Sequence, residues 1–384
     1  MNSLSWQTRR VSLPFRTPFR FGDRTIERRD SVLLRVCFDD GCAGEGEAAP
    51  LPGFIDAPTG AIEAACALLL GHAVRNPALR TRDRAVFGGP VGLLAAVERA
   101  WDSARHDAAG LASSGALRLA RAAIETALAD AAARSEGVPL ARWLAPGAAS
   151  EVALNGTLGR GSAAARLDAA HALRDEGFHT LKVKLAAGSG LAAEAAALQR
   201  IADDCPGIVL RFDLNRTLPE RSIRELDTLL GLPVQYVEEP VVGDAAALAR
   251  AARRCAVPLA ADESLLEEPT PDSALLQAGL AFLVLKPNFL GGPLSTLRRA
   301  RLAMAAGCQC TVTTALDSAV GRAMALHVAA ALEGEGGGSG AHGLATARFL
   351  ASDVAAGPLP AAGRLAVPAL PGLGLDHAVP GCRS

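Results

Sequence analysis

Between residues 152 and 315 the chain alternates short apolar runs with amphipathic helical stretches, and this rhythm restricts the fold more than any other feature. The runs are VALNGTL (152–158), TLKVKL (180–185), IVLRFDL (208–214), VQYVEE (234–239), PLAADES (258–264), AFLVLK (281–286) and CTVTTA (310–315). Strands that alternate with helices build parallel βα units, because a parallel neighbour is reached only by a crossover long enough to hold a helix. Seven such runs leave room for a short eighth near His342-Gly343-Leu344, and no dinucleotide-binding glycine fingerprint follows an early strand. The fold class expected is therefore α/β, a TIM-like (β/α)7–8 barrel rather than an open sheet.

The flanks read differently. Residues 4–13 and 30–38 are strand-like and are separated by the turn-rich, arginine-rich TPFRFGDRTIERR. GEGEAAPLPGF (44–54) carries enough Gly and Pro to suit a loop. A helical period follows from residue 59 to about 136. The expected organisation is an α+β capping domain (1–130), a barrel (131–350) and a Pro- and Gly-rich tail (351–384) that packs back on the cap. GEGGGSG (334–340) follows a helix and reads as a flexible linker.

The chemistry sits at the ends of the runs. Only three of the 39 basic residues are lysines, Lys182, Lys184 and Lys286, and all three lie in apolar strand segments. Arginine serves surface charge but stays protonated, whereas a desolvated lysine can act as a base. From Lys184 to Asp213 is 29 residues, then 25 to Glu238, 24 to Asp262 and 24 to Lys286. Each step is one βα unit, so these side chains converge on the C-terminal rim where barrels of this kind carry their active sites. Three carboxylates meeting there repel one another unless a cation lies among them. All-oxygen ligands select a hard ion, Mg²⁺ over zinc, with Mn²⁺ as a substitute. Lysines beside such a metal suit abstraction of a proton next to a carboxylate, the base needing an amine whose pKa burial and neighbouring positive charge lower. A Schiff-base lyase would also bury a lysine but would need no three-carboxylate site.

The motifs LKVKL, RFDLN, VEEP, ADES and LKPN, in that order over about residues 180–290, resemble the enolase superfamily and within it the muconate-lactonizing subgroup, whose lysine-plus-Mg²⁺ chemistry is a known pattern. The resemblance implies Lys184 as base, Lys182 as its cationic neighbour, Lys286 on the opposite face of the substrate, and Asp213, Glu238 and Asp262 as metal ligands supported by Asn215, Glu239 and Glu263. Arg211 in LRFDLNR, the 44–54 loop, TVTTALDSAVGRAMALHVAAAL and HGLATARFLASDV are most similar to the o-succinylbenzoate synthase family. That likeness implies a carbon–oxygen lyase performing a syn-dehydration in menaquinone biosynthesis. An N-succinylamino acid racemase, or another epimerase or cycloisomerase of the subgroup, is the alternative. Substrate contacts expected are Arg211, Thr313 and Thr314 in the barrel, and Arg20 and Phe54 in the cap. His342 is expected to be a structural residue.

The remaining expectations are coarse. A net charge of −1 gives no reason to expect nucleic acid or a membrane, and a small-molecule carboxylate is the expected partner. No apolar run approaches a membrane span and the N-terminus lacks a secretory pattern, so a cytoplasmic location is expected, with a homo-oligomer left open. The eight cysteines form no CxxC pair and read as reduced small hydrophobes.

Overall fold

The computed structural model describes residues 4–21, 24–39, 41–75, 89–107, 114–159, 161–185, 190–267, 272–376 and 379. The chain opens with an antiparallel sheet in the order β1 (Leu4–Phe21), β2 (Arg24–Phe38), β3 (Ala43–Ala48). The arginine-rich stretch expected to be a turn instead continues the β1–β2 ladder as far as the Phe21↔Arg24 pair, with a register shift between Pro14 and Phe19. Prolines are tolerated there because β1 is an edge strand, where a missing N–H breaks no second ladder.

The glycine-rich segment expected to be a loop begins as β3, and all six of its residues are buried. Its glycines serve packing. A Cβ on Gly44 or Gly46 would lie 2.1 or 2.0 Å from the carbonyl oxygens of Ala127 and Ala123 on the helix Ser114–Ser135. Two strand residues span nearly the same length as one helical turn, so the helix backbone beds directly on the strand. Helices Thr59–Ala73 and Gly89–Asp107 complete the cap.

The second sheet has seven strands in the order β11-β10-β9-β8-β7-β6-β5, all paired parallel. They are β5 (Asn155–Leu158), β6 (Thr180–Lys184), β7 (Val209–Asp213), β8 (Val234–Glu238), β9 (Leu259–Ala261), β10 (Phe282–Leu285) and β11 (Gln309–Val312). The sheet curls, and a residual eighth strand spans its gap. Gly338 bridges to Cys310 and Gly343 to Thr313 on one side, while His342 bridges to Leu154 on the other. The glycine segment expected to be a flexible linker is therefore part of the barrel wall. Two of its glycines are closely packed: a Cβ on Gly337 would press on the Met304 side chain and one on Gly338 on the Glu333 carboxylate.

Arg211 holds this irregular strand in place. The side chain is fully buried, and all five of its N–H donors are used: Nε on Gln235, Nη1 on Asn155 Oδ1 and Ala341 O, and Nη2 on Ser339 O and Oγ. The expectation that Arg211 contacts substrate is thus corrected. It faces the barrel interior as alternation requires, but its donors replace the ladder hydrogen bonds that the eighth strand lacks.

Cap, barrel and tail interlock through buried polar contacts. Glu47 of β3 accepts from Ser318 N, Ser318 Oγ (2.7 Å) and Gly321 N (2.9 Å), capping the helix Ala319–Gly334 that follows β11. In the tail, β12 (Arg364–Ala366) pairs with β4 (Glu151–Ala153), Leu373 N donates to buried Asp130, and Val379 N donates to Glu45. Cys37 is disulfide-bonded, against the expectation that every cysteine is reduced. It is the penultimate residue of β2, two residues from Arg35, which binds the tail carbonyl of Val379, a proximity that linear spacing does not reveal. No helix among the described residues is long and apolar enough to cross a membrane.

Candidate active site

Parallel strands deliver their terminal side chains to one rim, and here five do so in sequence. Lys184 ends β6, Asp213 ends β7, Glu238 ends β8, and Asp262 and Lys286 each follow the last residue of β9 and β10. All of these but Glu238, together with Lys182, line a cavity of about 230 Å³. Lys182 Nζ lies 2.7 Å from both oxygens of Glu238 and 2.9 Å from Asp213 Oδ2. Lys184 Nζ reaches Asp213 Oδ2 at 2.5 Å and Asn215 Oδ1 at 2.8 Å. Lys286 donates to Asp262 Oδ2 and lies 4.6 Å from the centre of the Phe54 ring, a cation–π contact made by the cap.

Residues behind the rim fix these groups. Glu239 accepts from the backbone N–H groups of Asp262 (2.8 Å) and Ser264 (2.7 Å) and pairs with Arg216, which locks the turn carrying Asp262. Asn215 bridges Lys184 to Glu263. Asn215 and Glu239 have φ of 43° and 41°. Left-handed backbone is tolerable for Asn and costly for Glu, and it turns Glu239 away from Glu238 at the strand end.

The electrostatics are those of crowded buried acids. Burial and then Asp213 push the Glu238 carboxyl up to about 7, and burial with Asp213 and Glu239 raises Glu263 likewise to about 7. Burial also raises Asp262, partly offset by Lys286. Asp213 goes the other way: burial pushes it up, yet Lys182 and Lys184 outweigh that and hold it well below the usual carboxylate range. Burial depresses the amines of Lys182 and Lys286, but their carboxylate partners outweigh it and raise both. Each of these two ammonium groups sits directly on an acid.

Among the described residues no three acidic, His or Cys side chains stand at ligating distance of a common point, each rim carboxylate being drawn to a lysine. The donor set nonetheless fits a hard divalent ion. It is oxygen-only, it occupies three adjacent strand ends, and buried Glu263 Oε2 beside it has no partner. Asp213, Glu238 and Asp262 would hold the ion.

Of the expected substrate contacts, Thr313, Thr314 and Phe54 line the cavity. Thr313 is bonded to Gly343 O and Thr314 to Thr346 Oγ1. Arg20 falls on β1, but its side chain lies outside the described residues. His342 is buried with both ring nitrogens engaged, one by Val312 N and one by Glu333. Sequence reasoning did not find Phe19, Thr346, Arg348 or Phe349, which also line the cavity. No spacing marks them, and Arg348 is one arginine among 36, from the 39 basic residues less three lysines.

Residues 5–145 match the family model for the mandelate racemase / muconate lactonizing enzyme N-terminal domain, and residues 165–378 match the enolase C-terminal domain-like model. The L-Ala-D/L-Glu epimerase of Bacillus subtilis is 29% identical over 339 residues, covering 86% of this chain and 85% of that protein. Its substrate-liganded structure superposes with a TM-score of 0.77 at 27% identity over 97% and 98% of the two chains. An o-succinylbenzoate synthase of Thermobifida fusca is 33% identical over 195 residues, 50% of this chain and 59% of that one. A magnesium complex of an enolase superfamily member from Roseovarius nubinhibens has a TM-score of 0.78 at 25% identity, covering 97% and 96%. The chain belongs to the enolase superfamily, with both domains of the mandelate racemase / muconate lactonizing enzyme type.

Proposed function

We propose that the protein moves a proton at the carbon next to a carboxylate of an N-acylated amino acid or dipeptide, acting as a racemase or epimerase. One observation carries this reading: Lys184 and Lys286 stand four staves apart in a barrel of eight, on opposite sides of the three rim carboxylates. A substrate seated between them presents one face of its α-carbon to each amine. Lys184 takes the α-proton from one face and Lys286 delivers a proton to the other; for the mirror substrate the roles exchange. Lys182, held on Glu238 and Asp213, supplies fixed positive charge as negative charge develops on the substrate carboxylate. A divalent ion on Asp213, Glu238 and Asp262 would supply further electrostatic stabilisation there. The Bacillus epimerase, similar over most of both chains, supports the same reading.

The test is proton exchange in D₂O with Mg²⁺ present, followed by NMR on both enantiomers of a panel of N-acylamino acids and dipeptides. Lys184→Met should retain exchange on one enantiomer only and Lys286→Met on the other. A second reading, o-succinylbenzoate synthase, is favoured by the 33% identity to the Thermobifida enzyme. There Lys184 would remove the α-proton and return it to the departing hydroxyl, which leaves as water. Turnover of the cyclohexadiene precursor, with no exchange on any acylamino acid or dipeptide, would select it.

A further inference from the structure

Of the five described non-glycine residues with left-handed backbone, three stand together behind the rim: Asn215 (φ 43°), Arg216 (φ 58°) and Glu239 (φ 41°). That conformation is costly for Arg and Glu, so the surroundings must hold it, and strain held in this way clusters at functional sites. The hold centres on Arg216. Its backbone N–H donates to Glu239 O at 2.7 Å and its Nε to Glu239 Oε2 at 3.1 Å. Its Nη2 donates to Ser264 Oγ at 2.9 Å and to Glu267 Oε1 at 2.7 Å.

These contacts lead to each of the three carboxylates that would hold a divalent ion. Asp213 Oδ1 accepts from the N–H of Asn215, the neighbour of Arg216, at 3.1 Å. Glu238 is pinned through its carbonyl, which accepts from Leu214 N at 3.1 Å, and through the next residue, Glu239. Asp262 is reached through Glu239 Oε1, which accepts its N–H, and through Ser264. The far end is anchored as well, because Glu267 Oε2 accepts from Ala245 N at 2.9 Å, at the start of the helix Ala245–Ala252. One guanidinium, 27% exposed, thus ties together the ends of β7, β8 and β9.

A tie of this kind bears on the size of the ion. Mg²⁺ takes oxygens at about 2.0–2.1 Å in a near-ideal octahedron, whereas Ca²⁺ takes them at about 2.3–2.6 Å in looser geometry. Neighbouring oxygens of an octahedron then lie about 2.9 Å apart around Mg²⁺ and about 3.5 Å apart around Ca²⁺. Strand ends that cannot spread by that difference of ~0.6 Å favour the smaller ion.

We propose that Arg216 is a positioning residue that sets the ion selectivity of the site, holding the turns that carry Asp213, Glu238 and Asp262 at the spacing of Mg²⁺ and against that of Ca²⁺. This rests on the reading of those three carboxylates as the ion's ligands.

Isothermal titration calorimetry of the full chain with MgCl₂ and with CaCl₂ reads both affinities without turnover. Arg216→Met keeps the stem and deletes the fork. It should lower Mg²⁺ affinity about tenfold, the lower end of what outer partners of a metal site contribute, while Ca²⁺ affinity changes less than about twofold. Arg216→Lys keeps the charge without the fork and should recover part of the Mg²⁺/Ca²⁺ ratio. Glu267→Gln loosens the fork from outside, at a side chain 30% exposed, and should shift the ratio the same way. The shift expected there is about two- to threefold, as for a partly exposed ion pair. Circular dichroism accompanies each variant, and Glu267→Gln carries the test if Arg216→Met does not fold. A purely structural arginine would weaken both ions alike or lower Tm with the ratio unmoved, and either result overturns the proposal. The ligand reading fails separately: if the native protein binds neither ion, or Asp262→Asn leaves Mg²⁺ affinity intact, those carboxylates are not the ligands and the proposal falls with them.

Discussion

Replacing Arg211 with Met distinguishes a strand clamp from a substrate contact. Methionine keeps much of the stem volume and deletes the five donors. Ser339 O retains Gln235 Nε2 at 2.9 Å, Ser339 Oγ retains Thr311 at 2.6 Å, and Ala341 O retains the Ser339 hydroxyl at 3.3 Å. Asn155 Oδ1 loses the donor that Arg211 gives it, inside a wall that is 5% exposed at that residue. A stranded buried acceptor costs about 1–3 kcal/mol, and losing the charge-assisted bonds brings the expected destabilisation to roughly 3 kcal/mol. For 384 residues the unfolding entropy is about 0.8 kcal/mol per kelvin, so Tm should fall by about 4 °C. Differential scanning calorimetry reads this directly, with kcat and KM on the same preparation. Because the clamped strand leads into Thr346 and Arg348, kcat/KM should fall along with Tm. An unchanged Tm with KM raised tenfold or more would refute the clamp and return Arg211 to the substrate.

Three further perturbations test other parts of the structure. Asp262→Asn should lower activity at least about a thousandfold and weaken Mg²⁺ binding by calorimetry while circular dichroism stays native, and full activity after exhaustive chelation would refute the metal role. His327 is buried and neutral, its Nδ1 accepting from Ala141 N, and burial depresses its pKa from the usual 6.5 to about 4. The unfolded chain therefore binds this proton first, so the native protein should lose about 3 kcal/mol as pH falls from 6.5 to 4, and His327→Gln should flatten that part of the urea-unfolding profile. Gly46→Ala places a Cβ 2.0 Å from the Ala123 carbonyl; the cap should lose about 3 kcal/mol or more by overpacking, read as a lowered Tm, and a neutral result would show that β3 and its helix can separate freely.

The local pattern of the chain determined the barrel, the direction of its strands and the residues that meet at its rim. Strand direction follows from βα alternation, and side-chain facing follows from the period of two, so Lys182, Lys184, Asp213, Glu238, Asp262 and Lys286 were legible by counting. What the pattern misassigned depended on distant partners. Gly44 and Gly46 resemble loop residues until the Ser114–Ser135 helix lies against them, and Gly337 and Gly338 resemble a linker until Met304 and Glu333 crowd them. Arg211 shares a face with Asp213, but only the closure of the barrel brings Ser339 and Ala341 within reach of its donors and makes it part of the wall. Arg348 has no local signature, because its place in the cavity comes from the path of the chain after the eighth strand. Periodicity is local and survives in one dimension. Close approach, burial of charge and the choice of hydrogen-bond partner arise only when segments far apart in the chain are brought together.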